Sequence, residues 1–93
     1  MILSFGDKET ERIWDGEVSR RLPIAIQSIA RRKLRMINNA RRLDDLRSSP
    51  ANRLEALKGD MKGQHSIRVN DQWRVCFRWS DAGVSDVQIV DYH

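Results

Sequence analysis

Between His65 and Trp79 the chain reads "HSIRVNDQWRVCFRW", and this alternation restricts what it can fold into more than any other stretch. Side chains of a strand point in turn to its two faces, so Trp73, Val75, Phe77 and Trp79 share one face, and Arg74, Cys76 and Arg78 the other. Upstream, Ile67 and Val69 alternate with Ser66 and Arg68 in the same way, and Asn70-Asp71 between the two runs is a turn sequence. The pair predicts an antiparallel hairpin whose aromatic face belongs to the core. Its arginine face is expected to look at solvent or at an anion, because an unpaired charge is costly to bury. A further turn at Asp81-Ala82-Gly83 brings "VSDVQIV" back as a last strand beside the second.

A sheet with one apolar face needs a cover, and the first half of the chain provides it. The segment "PIAIQSIARRKLRMINNA", from Pro23 to about Ala40, places Ile26, Ile29, Ala30, Leu34, Ile37 and Ala40 at helical spacing, with Pro23 suited to the first helical position. On the other side Arg31, Arg35, Asn38 and Arg42 follow one another three or four residues apart. That stripe reads equally as a solvated face and as a nucleic-acid contact. Lys8 to about Val18 is helix-compatible, with Asp7 as N-cap and Ile13, Trp14 and Val18 as buried contacts. Ile2, Leu3 and Phe5 form a short strand, closed by Gly6-Asp7, that must pair with another. "LDDLRSSPAN" reads as a short turn of helix and a loop, and "LEALKG" offers Leu54, Ala56 or Leu57 to the core. The order is strand, two helices, then an antiparallel meander, so the expectation is one α+β domain over residues 1–93 without repeat or linker.

Charge narrows the partner. A net charge of +4 with 32% charged residues favours a polyanion, nucleic acid first. No apolar run approaches the roughly 18 residues of a spanning helix, and "MILSFGDKE" turns polar too soon for a signal peptide. A lone Cys76 excludes an internal disulfide. The cytoplasm is the expected compartment, and Cys76, without a neighbouring cysteine, reads as a small sheet residue rather than a nucleophile.

The second half of the chain mixes groups that move protons, Glu55, His65, Asp91, Tyr92 and His93, with fixed cations, Lys58, Lys62, Arg68, Arg74 and Arg78. Cleavage of an RNA phosphodiester needs that mixture: a base for the 2′-hydroxyl, an acid for the leaving 5′-oxygen, and positive charge for the transition state. Histidine serves in either proton role, arginine offers a forked donor to phosphate oxygens, and tyrosine stacks on a base or orients a phosphate. His65 on its own reads as a structural or surface residue, and "DYH" on its own as a tail. What raises the trio is that it leaves a strand whose expected neighbour carries Arg74 and Arg78. A metal site from His65, Asp91 and His93 has no ligand spacing behind it, and no cofactor is expected.

The stretch "NRLEALKGDMKGQHSIRVNDQWRVCFRW", together with the closing "VDYH", resembles the HigB-type (plasmid-maintenance killer) toxins of the RelE superfamily. The resemblance runs from "RIW" near the start to the final Asp-Tyr-His and implies a RelE-like fold, two helices and a short N-terminal strand with an antiparallel sheet of about four strands. It also implies a metal-independent endoribonuclease that enters the ribosomal A site and cuts mRNA during translation. The implied partner is a HigA-type antitoxin with a helix-turn-helix, through which the pair meets operator DNA. Asp91, Tyr92 and His93 coincide with the terminal residues such toxins use, and Lys58, Arg68 and Arg74 stand where those hold phosphate and substrate. The chain departs at Glu55, where well-described members carry a histidine, so the general base is open among Glu55, Asp91 and His93. Lys62, Arg78, Arg31 and Arg35 are the further expected RNA contacts, the helical arginines together with Arg42 on ribosomal RNA backbone. The competing class is a non-catalytic RNA- or ribosome-binding module using the same basic face.

Overall fold

The structure is a computed structural model that describes residues 1–92; His93 lies outside the described residues. Helix α1, Lys8–Trp14, starts where Asp7 is extended and its Oδ1 accepts from the Thr10 amide at 2.7 Å, filling one of the donors a first helical turn leaves open. It stops at Trp14 because Gly16 turns the chain with a φ of +86°. Val18, expected in the core, is therefore carried past the helix end and is 65% exposed, whereas Ile13 is fully buried. Helix α2, Ile24–Asn39, begins one residue after Pro23, which acts as its N-cap. Its inner face is Ile26, Ala30, Leu34 and Ile37, all buried, with Ile29 and Ala40 packed at the margin.

The sheet has the order β1-β2-β3-β4, antiparallel throughout: β1 Glu55–Ala56, β2 His65–Arg68, β3 Trp73–Ser80 and β4 Gly83–Asp91. Both helices pack on one face of β3 and β4, where Ile67, Val75, Phe77, Val84, Val87 and Ile89 meet the inner faces of α1 and α2. Removing the Phe77 ring would cost about 3–5 kcal/mol, a large share of the roughly 5–15 kcal/mol by which such a domain is stable. Leu57 joins the buried set, while Ala56, the alternative core candidate, is exposed at the sheet edge. Among the described residues no helix is long and apolar enough to cross a membrane.

The N-terminal segment pairs with β4, in parallel, through Ile2 opposite Val84 and Phe5 opposite Val87. The two bridges stay isolated because β4 bulges between them. Cys76 faces Gln88 and Arg78 faces Ser85, so Asp86 and Val87 together oppose Phe77, and Asp86 adopts a φ of +53° with its amide bonded to Ser4 Oγ. Gly83 is required at the other bridge. Its φ is +146°, and a Cβ there would lie 2.7 Å from the Met1 carbonyl oxygen. The segment thus covers what would otherwise be an open sheet edge.

His65 belongs to this packing. It pairs with Phe77 across β2 and β3, and the two rings stack with centroids 6.3 Å apart. Its buried Nδ1 has no hydrogen-bond partner among the described residues. Burial, and secondarily the charge of Arg47, hold its pKa below 6.5. An imidazole whose pKa is lower folded than unfolded binds more protons when unfolded, so stability is lost as pH falls from 6.5 toward the folded value. The chain is expected to be less stable at pH 5.5 than at pH 7.5. His65→Gln should narrow that difference in urea unfolding at the two pH values, and an unaltered difference would contradict the assignment.

Candidate active site

The arginine face of β3 does not look outward at Arg74. This residue is 8% exposed, so of the two expected alternatives, solvent or an anion, solvent does not hold for it. The charge is tolerated because its Nε and Nη2 donors are bonded. Nε donates to Ser66 Oγ at 2.7 Å, and Nη2 donates to the Arg53 carbonyl at 2.6 Å and to the Ser66 carbonyl at 3.3 Å. Register explains the arrangement. Ser66 and Glu55 face each other across β2 and β1, and Ser66 faces Cys76 across β2 and β3, so a small hydroxyl stands diagonal to Arg74 on the same face of the sheet.

Glu55 comes from the short edge strand β1, with its Oε1 3.7 Å from Arg74 Nε. Tyr92 follows the end of β4, fixed by its amide donating to the Gln72 carbonyl at 2.6 Å. Its ring stands over Arg74 with the guanidinium carbon 5.5 Å from the centroid, a cation–π distance, and it is 40% exposed. The charge of Glu55, then a hydrogen bond to that carboxylate, raise the Tyr92 pKa, so the phenol keeps its proton at neutral pH. Arg53, Glu55, Arg68, Asn70, Asp71, Arg74 and Tyr92 line one open cleft of about 350 Å³. A larger groove, about 520 Å³, lies elsewhere, among Glu9, Arg12, Val18, Arg20 and Arg21, and includes none of the chemistry-bearing residues of the sheet.

The structure thus brings together Glu55, Arg68, Arg74 and Tyr92 of the expected residues. Arg68 forms an ion pair with the turn residue Asp71. Asp91 is placed by the register opposite Trp73, on the Val75 side of the sheet, and its Oδ2 accepts from Gln72 Nε2 at 3.0 Å. Strand alternation therefore separates Asp91 from Tyr92. Lys58 and Lys62 flank a 3₁₀ turn, Gly59–Met61, and are exposed beyond the cleft. Arg78 shares the Arg74 face four residues along β3, roughly 13 Å away at strand rise, and pairs with Asp86 at 3.3 Å. On α2 the expected stripe divides. Arg31 donates from Nε to the Ile13 carbonyl at 2.8 Å and from Nη2 to that of Glu17, so it closes the end of α1. Asn38 accepts from the Ile2 amide, whereas Arg35 and Arg42 are exposed.

Four residues escaped sequence reasoning: Arg53, Asn70 and Asp71, which line the cleft, and Ser66, which holds Arg74. Arg53 has a φ of +45°, and no turn signal in "PANRLE" reveals a left-handed arginine. Asn70 Oδ1 accepts from the Gln72 and Trp73 amides, which pins the hairpin turn at the rim. Ser66 was legible only as the polar member of an alternation. Cys76 is buried with its thiol pKa pushed up to about 11 by desolvation, which suits a sheet residue and not a nucleophile. Among the described residues no three His, Cys, Asp or Glu side chains gather as metal ligands.

Comparison with known proteins fits this geometry. Residues 3–93 match the family described as RelE-like toxin of the type II toxin–antitoxin system HigB. Toxin HigB-1 of Vibrio cholerae is 42% identical over 94 residues, covering 100% of this chain and 98% of the relative. A protein of Proteus vulgaris named Endoribonuclease HigB is 28% identical across the full length of both. A YoeB/ParE toxin from Agrobacterium tumefaciens shares the fold, with a TM-score of 0.56 at 20% identity over 99% of this chain and 98% of that one. A toxin of this type implies a cognate antitoxin. With the match spanning nearly the whole chain, and the two-helix, four-stranded fold in agreement, the chain belongs to the HigB-like toxins of type II toxin–antitoxin systems, in the RelE superfamily.

Proposed function

We propose that this toxin is an endoribonuclease that cuts messenger RNA on the ribosome, in the cleft over Arg74. The observation that carries the reading is the state of that guanidinium. Its Nε and Nη2 are bonded to a hydroxyl and two carbonyls, all neutral, and its carboxylate neighbour Glu55 stands at 3.7 Å rather than in a forked pair. A cation held in place but not neutralised is what a phosphorane-like transition state requires. The name of the Proteus vulgaris relative supports the same activity.

In this reading the scissile phosphate sits on Arg74 between Arg53 and Arg68, and the flanking base stacks on Tyr92. Glu55 accepts the proton of the 2′-hydroxyl, whose oxygen attacks phosphorus as the bond to the 5′-oxygen breaks. The products are a 2′,3′-cyclic phosphate and a 5′-hydroxyl. Tyr92, kept protonated, donates to Glu55 before substrate arrives and to a phosphate oxygen afterward. His93 is our candidate for the acid that protonates the 5′-oxygen, on its chemistry and the resemblance alone; Asp91, turned to the other face of the sheet, is given no part in the step. Arg35, Lys58, Lys62 and Arg78 extend the basic surface for RNA backbone. Arg31 is left out, since its guanidinium closes α1. The antitoxin we expect is of the HigA type, with a helix-turn-helix that carries the operator contact. This chain joins α1 to α2 through residues 15–23, too long for the tight turn of that motif.

The test is to add purified protein to a cell-free translation reaction and map new 5′ ends by primer extension, with a ribosome-free control. Cuts in register with codons are expected only with ribosomes. Arg74→Ala should reduce them by about a hundredfold or more, and Glu55→Gln by about a hundredfold. Intact message with translation still blocked would make the cleft a binding site only and overturn the reading. Separately, the double variant Lys58→Ala, Lys62→Ala should weaken ribosome binding and reduce the magnitude of its log–log salt slope by roughly one to two; an unchanged slope would remove both lysines from the RNA surface.

A further inference from the structure

Lys33 is 7% exposed on the inner side of α2, between the core positions Ala30 and Leu34, and a buried ammonium ordinarily needs a carboxylate. It has none. Among the described residues its Nζ donates to Asn52 Oδ1 at 2.7 Å and to nothing else. Asn52 is fully buried and donates from Nδ2 to the Leu46 carbonyl at 3.0 Å. Immediately after it comes Arg53, left-handed at φ +45° and ψ +54°, a backbone state that non-glycine residues adopt only when their surroundings impose it. The carbonyl of that same Arg53 accepts Arg74 Nη2 at 2.6 Å. A continuous path therefore runs from the helix layer to the cleft: Lys33, Asn52, the strained Arg53 carbonyl, Arg74.

We propose that the buried Lys33–Asn52 pair positions the cleft, holding the Arg53 turn left-handed so that its carbonyl fixes the Arg74 guanidinium beneath Tyr92. The inference rests on the endoribonuclease reading for its consequence but not for its geometry. A role in stability alone is the poorer account, since a well-packed apolar side chain at residue 33 would avoid desolvating an ammonium. Desolvation lowers the Lys33 pKa, and the charges of Arg32 and Arg68 lower it further. Lys33 and Asn52 are positioning residues: neither lines the cleft.

The test compares Lys33→Met, Asn52→Ala and Lys33→Gln with Ile13→Val, a core variant of α1 distant from the cleft. Two quantities are read on the folded proteins: solvent exchange of the Arg74 Nε–H in nitrogen-edited NMR spectra, and single-turnover message cleavage alongside ribosome binding. Lys33→Met and Asn52→Ala are expected to speed Nε–H exchange and to slow single-turnover cleavage by roughly tenfold to a hundredfold, with ribosome affinity unchanged. Lys33→Gln keeps a donor for Asn52 and should restore both, and Ile13→Val should move neither. Exchange that stays slow in Lys33→Met and Asn52→Ala overturns the proposal, as does exchange equally fast in Lys33→Gln, which would assign the effect to charge. Fast exchange with cleavage unimpaired overturns the link to chemistry. Should Lys33→Met fail to fold, Asn52→Ala against Lys33→Gln decides alone. A wild-type protein that cuts no message defeats the endoribonuclease reading, while the exchange measurement still decides the positioning path.

Discussion

The site depends on one guanidinium being kept inside the protein without being discharged. Arg74 is held by Ser66 and by the Arg53 carbonyl, and hydrogen bonds from a charged donor contribute about 1.5–3 kcal/mol each. Neutral acceptors of this kind offset burial while leaving the positive charge intact for an anion. A close, bidentate carboxylate would satisfy the arginine better and leave less for a ligand. Glu55 at 3.7 Å is near enough to be oriented and far enough to be displaced.

The rest of the fold serves that placement. The pairing of β1 with β2 puts Glu55 opposite Ser66, and the pairing of β2 with β3 puts Arg68 directly opposite Arg74. Two cations facing each other across a ladder repel, and both are accommodated: Arg74 by the interior, Arg68 by its ion pair with Asp71 at the turn. The helices lie on the other face, where the apolar residues of β3 and β4 need cover. The cleft is thereby left open on the side away from the helices.

Much of this was legible in the sequence, and the boundary between what was and was not has a physical cause. Periodicity reports which face a residue occupies, so the hairpin at Asn70-Asp71, the inner face of α2 and the succession of two helices and a meander follow from it, whereas the two-residue β1 and the isolated N-terminal bridges do not. It does not report how a buried polar group is satisfied. For that reason the partners that let Arg74 be buried were not foreseen, and Lys33, a lysine between two core positions, drew no notice. Arg31 fell in a cationic stripe by spacing, yet its guanidinium caps α1, because the carbonyls of Ile13 and Glu17 lie within its reach only after the two helices pack. The terminal Asp91 and Tyr92 are neighbours in sequence and are divided by the alternation of β4, which becomes evident only once the register with β3 is known. Val18 was lost to the core by a single left-handed glycine.

The most direct measurement on the central claim is chemical. A message carrying a single 2′-deoxy sugar immediately 5′ of a mapped cut is offered to the ribosome-bound toxin. If the cleft over Arg74 stabilises attack by the 2′-oxygen on the adjacent phosphate, that cut disappears while cuts at unmodified sites persist. Cleavage continuing at the deoxy position would contradict the account, since no internal nucleophile would then be available to form the phosphorane that Arg74 is held in place to meet.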